Sequence, residues 1–379
     1  MLEYQTMFLK RLELPMRLFL CAISLLTAAA AATAQTMSIE EYAPKSTLVV
    51  PEHIVTRAKY PFIDVHGHQR AASPDSADQL IRDMDAMNMA VMVNLSGGSG
   101  ERLKQGIANL KGRYRDRFVV FANLDFSGID DPNYGKRAAA QLEEDVKSGA
   151  QGLKIFKNLG LALRDGSGKR IPVDDPRFDP VWEACARLGI PVLIHTGEPW
   201  SFFQPVDKFN ERWLELKLHP NRVRPSDQFP AWEALIAEQH RLFQRHPKTT
   251  FINAHLGWLG SDLVQLGKLL DKCPNVQTEI GAVLYDLGRQ PRFARAWLIR
   301  YQDRVMFGKD AWAPSEYPTY FRVLETADEY FDYYRKYHAF WQMYGLDLPD
   351  DVLQKLYYKN ALRVIPGISR TQFEKSKSD

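Results

Sequence analysis

The segment Phe62-Ile63-Asp64-Val65-His66-Gly67-His68 is a short apolar run that closes on His-Gly-His. In a strand, alternate residues share a face, so His66 and His68 project together. Their Cβ atoms then stand roughly 6.5–7 Å apart, and two imidazoles at that spacing converge on one metal ion with bonds of roughly 2.0–2.1 Å. Three other apolar runs end in residues that complete such a site. Val192-Leu193-Ile194 leads into His195, Phe251-Ile252-Asn253-Ala254 into His255, and Met306-Phe307-Gly308-Lys309 into Asp310. A lone histidine at a strand end is usually a hydrogen-bonded core residue. Four of the chain's nine histidines, with an aspartate, at such ends point jointly to chemistry.

These residues need elements that bring distant strand ends together. Apolar, β-branched runs recur near Ile63 and at 90–95, 118–124, 152–156, 191–194, 250–254, 276–280 and 305–308. Amphipathic segments at helical spacing lie between them, clearest at 76–87, 137–147, 180–188, 230–245, 261–270 and 292–300. Eight strands alternating with helices predict parallel βα units. The expected fold is therefore α/β, a (β/α)8 TIM barrel over residues 59–368, in which the stretch 60–310 has the typical size of about 250 residues. An open doubly wound sheet would carry a glycine fingerprint after its first strand, where His-Gly-His stands here. Residues 157–178 and 196–229 are too long for ordinary connections and are expected to rise over the C-terminal mouth. Residues 317–365 read as extra C-terminal helices packed on the barrel's outside, with Asp350 starting one of them. Residues 369–379 form a polar tail.

Composition narrows the function classes. The chain is 45% hydrophobic and 25% charged, which is ordinary for a globular protein. A net charge of +3 with no Lys/Arg tract gives no reason to expect nucleic acid. Residues 1–34 read as a signal peptide, with Met16-Arg17 before the apolar run 18–32 and a small-x-small site at Ala32-Thr33-Ala34; Met16 is an alternative start. The run is too short and alanine-rich for a comfortable membrane span, so no stable anchor is expected after cleavage. The expected location is exported, either periplasmic or secreted. Residues 35–58 read as a linker or N-terminal arm. Cys185 and Cys273 read as buried structural thiols. No Gly-x-Ser-x-Gly elbow and no phosphate-cradling loop with a following lysine occurs.

The five strand-end residues resemble those of the amidohydrolase superfamily, specifically the amidohydrolase-related branch that includes the aminocarboxymuconate-semialdehyde decarboxylase type. The resemblance covers about residues 60–366 and extends to Tyr358-Lys359-Asn360-Ala361, which is similar to that branch's closing helix. It implies that His66, His68, His195 and Asp310 ligate one divalent metal ion, with zinc favoured over manganese or iron(II). It implies an open position for a water whose pKa falls toward ~7. Asp310 would be the base, and His255 would stand opposite to polarise the substrate's oxygen. In related families the histidine at this position is sometimes a ligand too. Lys154, on the fourth run, would bind an anionic substrate group; in some amidohydrolases a lysine there is carbamylated and bridges two metals.

Further candidates line the expected mouth. Glu198 holds substrate, orients an imidazole or sits in solvent. Trp200, Phe202, Phe203 and Trp258 form an apolar substrate wall or simply pack the loop down. Asp125 and Glu279 read as structural, and Arg222 and Arg224 as solvated. The expected activity is hydrolysis of an amide, ester or lactone bond in a small molecule. Non-oxidative decarboxylation of a small unsaturated or aromatic acid is the alternative, and a non-catalytic ligand-binding barrel a third. Self-association is left open.

Overall fold

The computed structural model describes residues 36–69 and 74–374. The leader expected over residues 1–34 lies outside the described residues. Residues 36–48 form a unit of their own, with one turn in which Ser38 and Glu41 hydrogen-bond each other's backbone N–H.

In the unit beginning at Val49, each of the eight apolar runs carries a parallel strand. In chain order they are β1 (Phe62–Gly67), β2 (Met89–Asn94), β3 (Phe118–Val120) with β4 (Ala122–Asn123), β5 (Leu153–Ile155), β6 (Val192–Ile194), β7 (Phe251–Asn253), β8 (Val276–Glu279) and β9 (Val305–Met306). Each pairs in parallel with its neighbours in sequence. β3 and β4 are two halves of one barrel strand, joined at Phe121. Phe121 N–H bonds the Asn94 carbonyl on one side, and Ala122 N–H bonds the Gly152 carbonyl on the other, both at 2.9 Å. The ring closes between β9 and β1. Val65 N–H donates to the Phe307 carbonyl at 3.0 Å, Asp310 N–H to the His66 carbonyl at 2.8 Å, and Gly67 and Asp310 form a parallel bridge. The fold is a (β/α)8 barrel.

Strands buried on both faces read as nearly continuous apolar runs, and β1, β2 and β8 are buried along their whole length. Helices Pro74–Ala86, Tyr134–Lys147, Asp179–Leu188, Trp232–Arg245, Leu263–Lys272 and Pro291–Arg300 stand where the periodicity predicts them. Helix Gly100–Lys111 was not singled out from the sequence, because its glycines and polar residues blur the apolar stripe; it buries only Leu103 and Leu110. Gly189 ends helix Asp179–Leu188 in the left-handed conformation that favours glycine. An aromatic cluster fastens the closing strands. Phe307 packs edge-on to Phe62 at 4.8 Å and touches Tyr317, Tyr320, Phe321 and Tyr357, all within 6.4 Å. Cys185 and Cys273 are free and buried. No helix among the described residues is long and apolar enough to cross a membrane.

The C-terminal region departs from the helical reading of residues 317–365. Helix Tyr317–Glu325 and the turns from Asp350 to Val364 are present, but between them β10 (Phe331–Asp332) pairs antiparallel with β11 (Gln342–Met343). This excursion reaches the mouth: Arg335 and His338 line the same cavity as His195 and Asp310. The physical reason is anchoring. Trp341 stacks on Tyr285 at 4.8 Å and lies under the Arg289 and Arg212 guanidiniums, which fixes the excursion against the rim.

Barrel packing is tight where β4 meets β5. A Cβ at Gly152 would lie 2.4 Å from the Phe121 ring. We predict that Gly152→Ala lowers stability by about 1–3 kcal/mol in urea unfolding, the usual effect of overpacking. An unchanged midpoint would show that the ring gives way freely.

Candidate metal centre

The strand ends meet at one rim. His66, His255 and Asp310 place one ligand atom each within 4.8 Å of one another, the single such group among the described residues. His66 Nε2 lies 3.7 Å and His68 Nε2 3.5 Å from the Asp310 carboxylate. His195 joins through His255, its Nδ1 being 3.3 Å from His255 Nε2. The structure thus draws together all five residues read from the strand ends. It sets His255 inside the tight group and His195 one step out, whereas the resemblance implies His195 as ligand and His255 as the opposing catalytic group.

Neighbouring residues fix the imidazole tautomers. Glu279, at the end of β8 and fully buried, accepts from His66 Nδ1 at 2.9 Å and from His255 N–H at 2.6 Å, and also from Gly281 N–H. It is structural, as read from the sequence, and its structure is that of the site. With the proton on Nδ1, His66 turns the lone pair of Nε2 to the rim, the form a metal needs. His68 Nδ1 meets Ser96 Oγ at 2.9 Å. His255 Nδ1 donates to the Gly281 carbonyl at 2.7 Å, which leaves Nε2 as an acceptor. To polarise a substrate's oxygen, the role expected of His255, Nε2 must itself carry a proton.

His255 opens a left-handed turn. His255, Leu256, Gly257 and Trp258 all have φ between 54° and 62°. Each non-glycine residue in this region costs about 1–2 kcal/mol. The Glu279 bond to His255 N–H and the complete burial of Leu256 offset that cost. The third place must be glycine, since a Cβ on Gly257 would meet Asn253 Nδ2 at 2.3 Å. The turn stacks Trp258 on His255, ring centroids 4.6 Å apart, and beside His195 at 5.6 Å. Asp310 also has a positive φ of 79°, which aspartate tolerates better than most residues.

Electrostatics suit cation binding. Burial, then the Lys154 ammonium, holds His66 well below the usual histidine range; burial and His255 do the same to His195. His68 falls to about 4, mainly through burial. These rings are neutral near pH 7, as ligands must be. Burial pushes the Asp310 carboxyl up, but His66, His255, His68 and Lys154 outweigh it and hold it below the usual carboxylate range. The donor set fits a divalent ion. A further mark is His195 Nε2, which is shut off from solvent and has no hydrogen-bond partner.

The remaining candidates separate. Lys154 is buried, with Nζ 3.4 Å from His66 Nε2 and above the Phe156 ring; burial lowers its pKa to about 8. Glu198 is buried and bonds Lys157 at 2.6 Å and Arg224 at 2.7 Å, with no imidazole as partner. Trp258 lines a cavity of about 300 Å³ that also takes in His195 and Asp310, as do Arg222 and Arg224. The two arginines were read as solvated; they face this cavity because buried carboxylates hold them there. Trp200 is 47% exposed and lines a small neighbouring cleft instead. Asp125 caps its own turn through Ser127. Asp64 escaped notice as an apolar-run residue. It is fully buried and receives His66 N–H, Lys309 N–H and the Tyr317 hydroxyl, and burial raises its pKa to about 7. Its spacing of two from His66 was the available signal.

A family model described as Amidohydrolase matches residues 63–367, and the chain belongs to that family. It is a metal-dependent enzyme of the amidohydrolase superfamily. Solved structures show the same fold. A 2,6-dihydroxybenzoate decarboxylase complexed with 2,6-dihydroxybenzoate is 16% identical, with TM-score 0.52, over 80% of this chain and 99% of that one. The 2,6-dihydroxybenzoate decarboxylase from Rhizobium is 16% identical, with TM-score 0.51, over 84% and 99%. A dihydroxybenzoic acid decarboxylase from a Polaromonas species, with bound manganese and 2-nitroresorcinol, is 15% identical, with TM-score 0.51, over 84% and 98%. A search of curated proteins gives no match.

Because Glu279 orients His66 and the His255 turn at once, we predict that Glu279→Gln weakens metal retention by about 10–100-fold, read by competition with a chelator. His66→Ala or His195→Ala should lose metal and activity together. Full retention of metal by either alanine variant would remove that residue from the ligand set.

Proposed function

We propose that the chain is a metal-dependent hydrolase that cleaves an amide, ester or lactone bond of a small molecule. The observation that carries this reading is the convergence of the rim residues, with the Asp310 carboxylate 3.7 Å from His66 Nε2 and 3.5 Å from His68 Nε2, beside the unpartnered His195 Nε2. His66, His68, His195 and Asp310 are the proposed ligands of one ion, zinc being favoured by three nitrogens and one oxygen. When bound, such an ion lowers the pKa of a water toward ~7 and withdraws charge from a substrate oxygen.

The chain's own groups supply the rest. Asp310, kept ionised by the surrounding imidazoles and Lys154, accepts the proton of the attacking water. His255 presents Nε2 to the same space. In its protonated state that nitrogen donates to the substrate's oxygen or to the leaving atom, while the Gly281 carbonyl holds the ring in place. Trp258 covers one face of His255 and excludes bulk water there. An exported location, proposed from residues 16–34, is consistent with hydrolysis of scavenged molecules.

A second reading is decarboxylation, favoured by the strongly cationic cavity beside the site. The bond to the carboxylate carbon then breaks, its electron pair stays on the substrate carbon, and a proton from the site replaces carbon dioxide. The structural neighbours named above are decarboxylases.

Substrate profiling of metal-replete protein, with CO2 release measured beside hydrolysis products, decides between them. Chelation should abolish either activity. His255→Asn is expected to keep its metal and lose about 10²–10⁴-fold in turnover. Loss of metal from His255→Asn would instead make His255 a ligand, and turnover that survives complete chelation would defeat the proposal.

A further inference from the structure

The cavity above the metal centre holds two ionic triads of one design. In the first, the Glu198 carboxylate lies between the Lys157 ammonium and the Arg224 guanidinium. In the second, the Glu215 carboxylate lies between the Arg212 and Arg222 guanidiniums. Both carboxylates are buried, and all six residues line the one cavity of about 300 Å³ that His195 and Asp310 also line. One carboxylate serves two cations in each triad, so each triad carries a surplus of one positive charge, which for Arg212 is shared on its far side with the buried Asp286 carboxylate. Partly desolvated charge of this kind is costly unless something completes it.

The cations are built in place. Arg212 is almost fully buried, with its guanidinium 4.8 Å from the Tyr285 ring centroid and 5.5 Å from that of Phe202. Arg224 donates through Nη1 to the Asn221 and Val223 carbonyls and through Nη2 to Glu198. Its Nε is shut off from solvent and has no partner. A guanidinium fixed on two sides at a cavity wall presents a rigid planar fork, which suits an oxygen ligand.

We infer that this cavity takes a small dianion, a dicarboxylate with one anionic group opposite each triad and its reacting bond turned toward the histidine cluster. This names the substrate class for the proposed reaction, and rests on that cluster being the reacting centre. Two positive charges matched by two negative ones discriminate against neutral and singly charged analogues.

The test is calorimetric binding to the full chain, metal-replete and chelated. The probes are isophthalate, its monomethyl ester and benzoate. Isophthalate should bind about tenfold or more tightly than either monoanion, one ion-pair interaction being worth that factor. Arg224→Gln and Arg222→Gln should each bring isophthalate down to the monoanion level, while Arg224→Lys retains part of the preference. Thermal unfolding and metal content are measured on every variant; if Arg224→Gln does not fold, Lys157→Gln, whose ammonium is half exposed, carries the same test. Equal affinity for isophthalate and its monomethyl ester would overturn the inference. So would a dianion preference that vanishes with the metal, since the anion site would then be the ion itself. A chain that binds no metal but still prefers the dianion would refute the proposed reaction, keep the dianion site and overturn its assignment as the substrate class.

Discussion

A carboxyl group with no access to water must be surrounded by donors, and Glu279 sets much of this rim through that requirement. Its oxygens collect His66 from β1, the peptide N–H of His255 after β7, and Gly281 beyond its own strand. Three barrel positions are thereby tied to one side chain. The tautomer of His66, the entry into the left-handed turn and the placing of the Gly281 carbonyl that receives His255 all follow from it. Hydrophobic burial closes the barrel, but it is non-directional and cannot by itself aim a ring nitrogen.

The rim combines rigidity with local strain. Four successive residues in the left-handed region are unusual for L-amino acids. They bring His255 and Trp258, three residues apart, into face-to-face stacking. Asp310 is held in the same backbone region by its own N–H bond to the His66 carbonyl. Both devices place side chains by backbone conformation, which tolerates less drift than a long flexible side chain does.

Strand order and the five rim residues were legible because both depend on local pattern. Each apolar run buried on two faces is recognisable alone, and a barrel brings consecutive strand ends into one ring. The fine structure was not legible. Glu279 and Asp64 look like ordinary strand carboxyls until their partners, far away in sequence, are in place. Arg222 and Arg224 resemble solvated loop residues because the carboxylates that pull them inward lie 7 and 26 positions away. The β10–β11 excursion was missed for a similar reason. Its hold on the rim comes from Trp341 against Tyr285 and the arginines, which no helical or strand periodicity within residues 326–349 announces.

That excursion bears on biogenesis. Arg335 and His338 are added after the last barrel strand, yet they wall the cavity that His195 and Asp310 line. A polypeptide emerging from the ribosome therefore presents the side chains of its strand ends before the final wall of this cavity exists. The rim and the last part of its enclosure are thus contributed at different stages of synthesis.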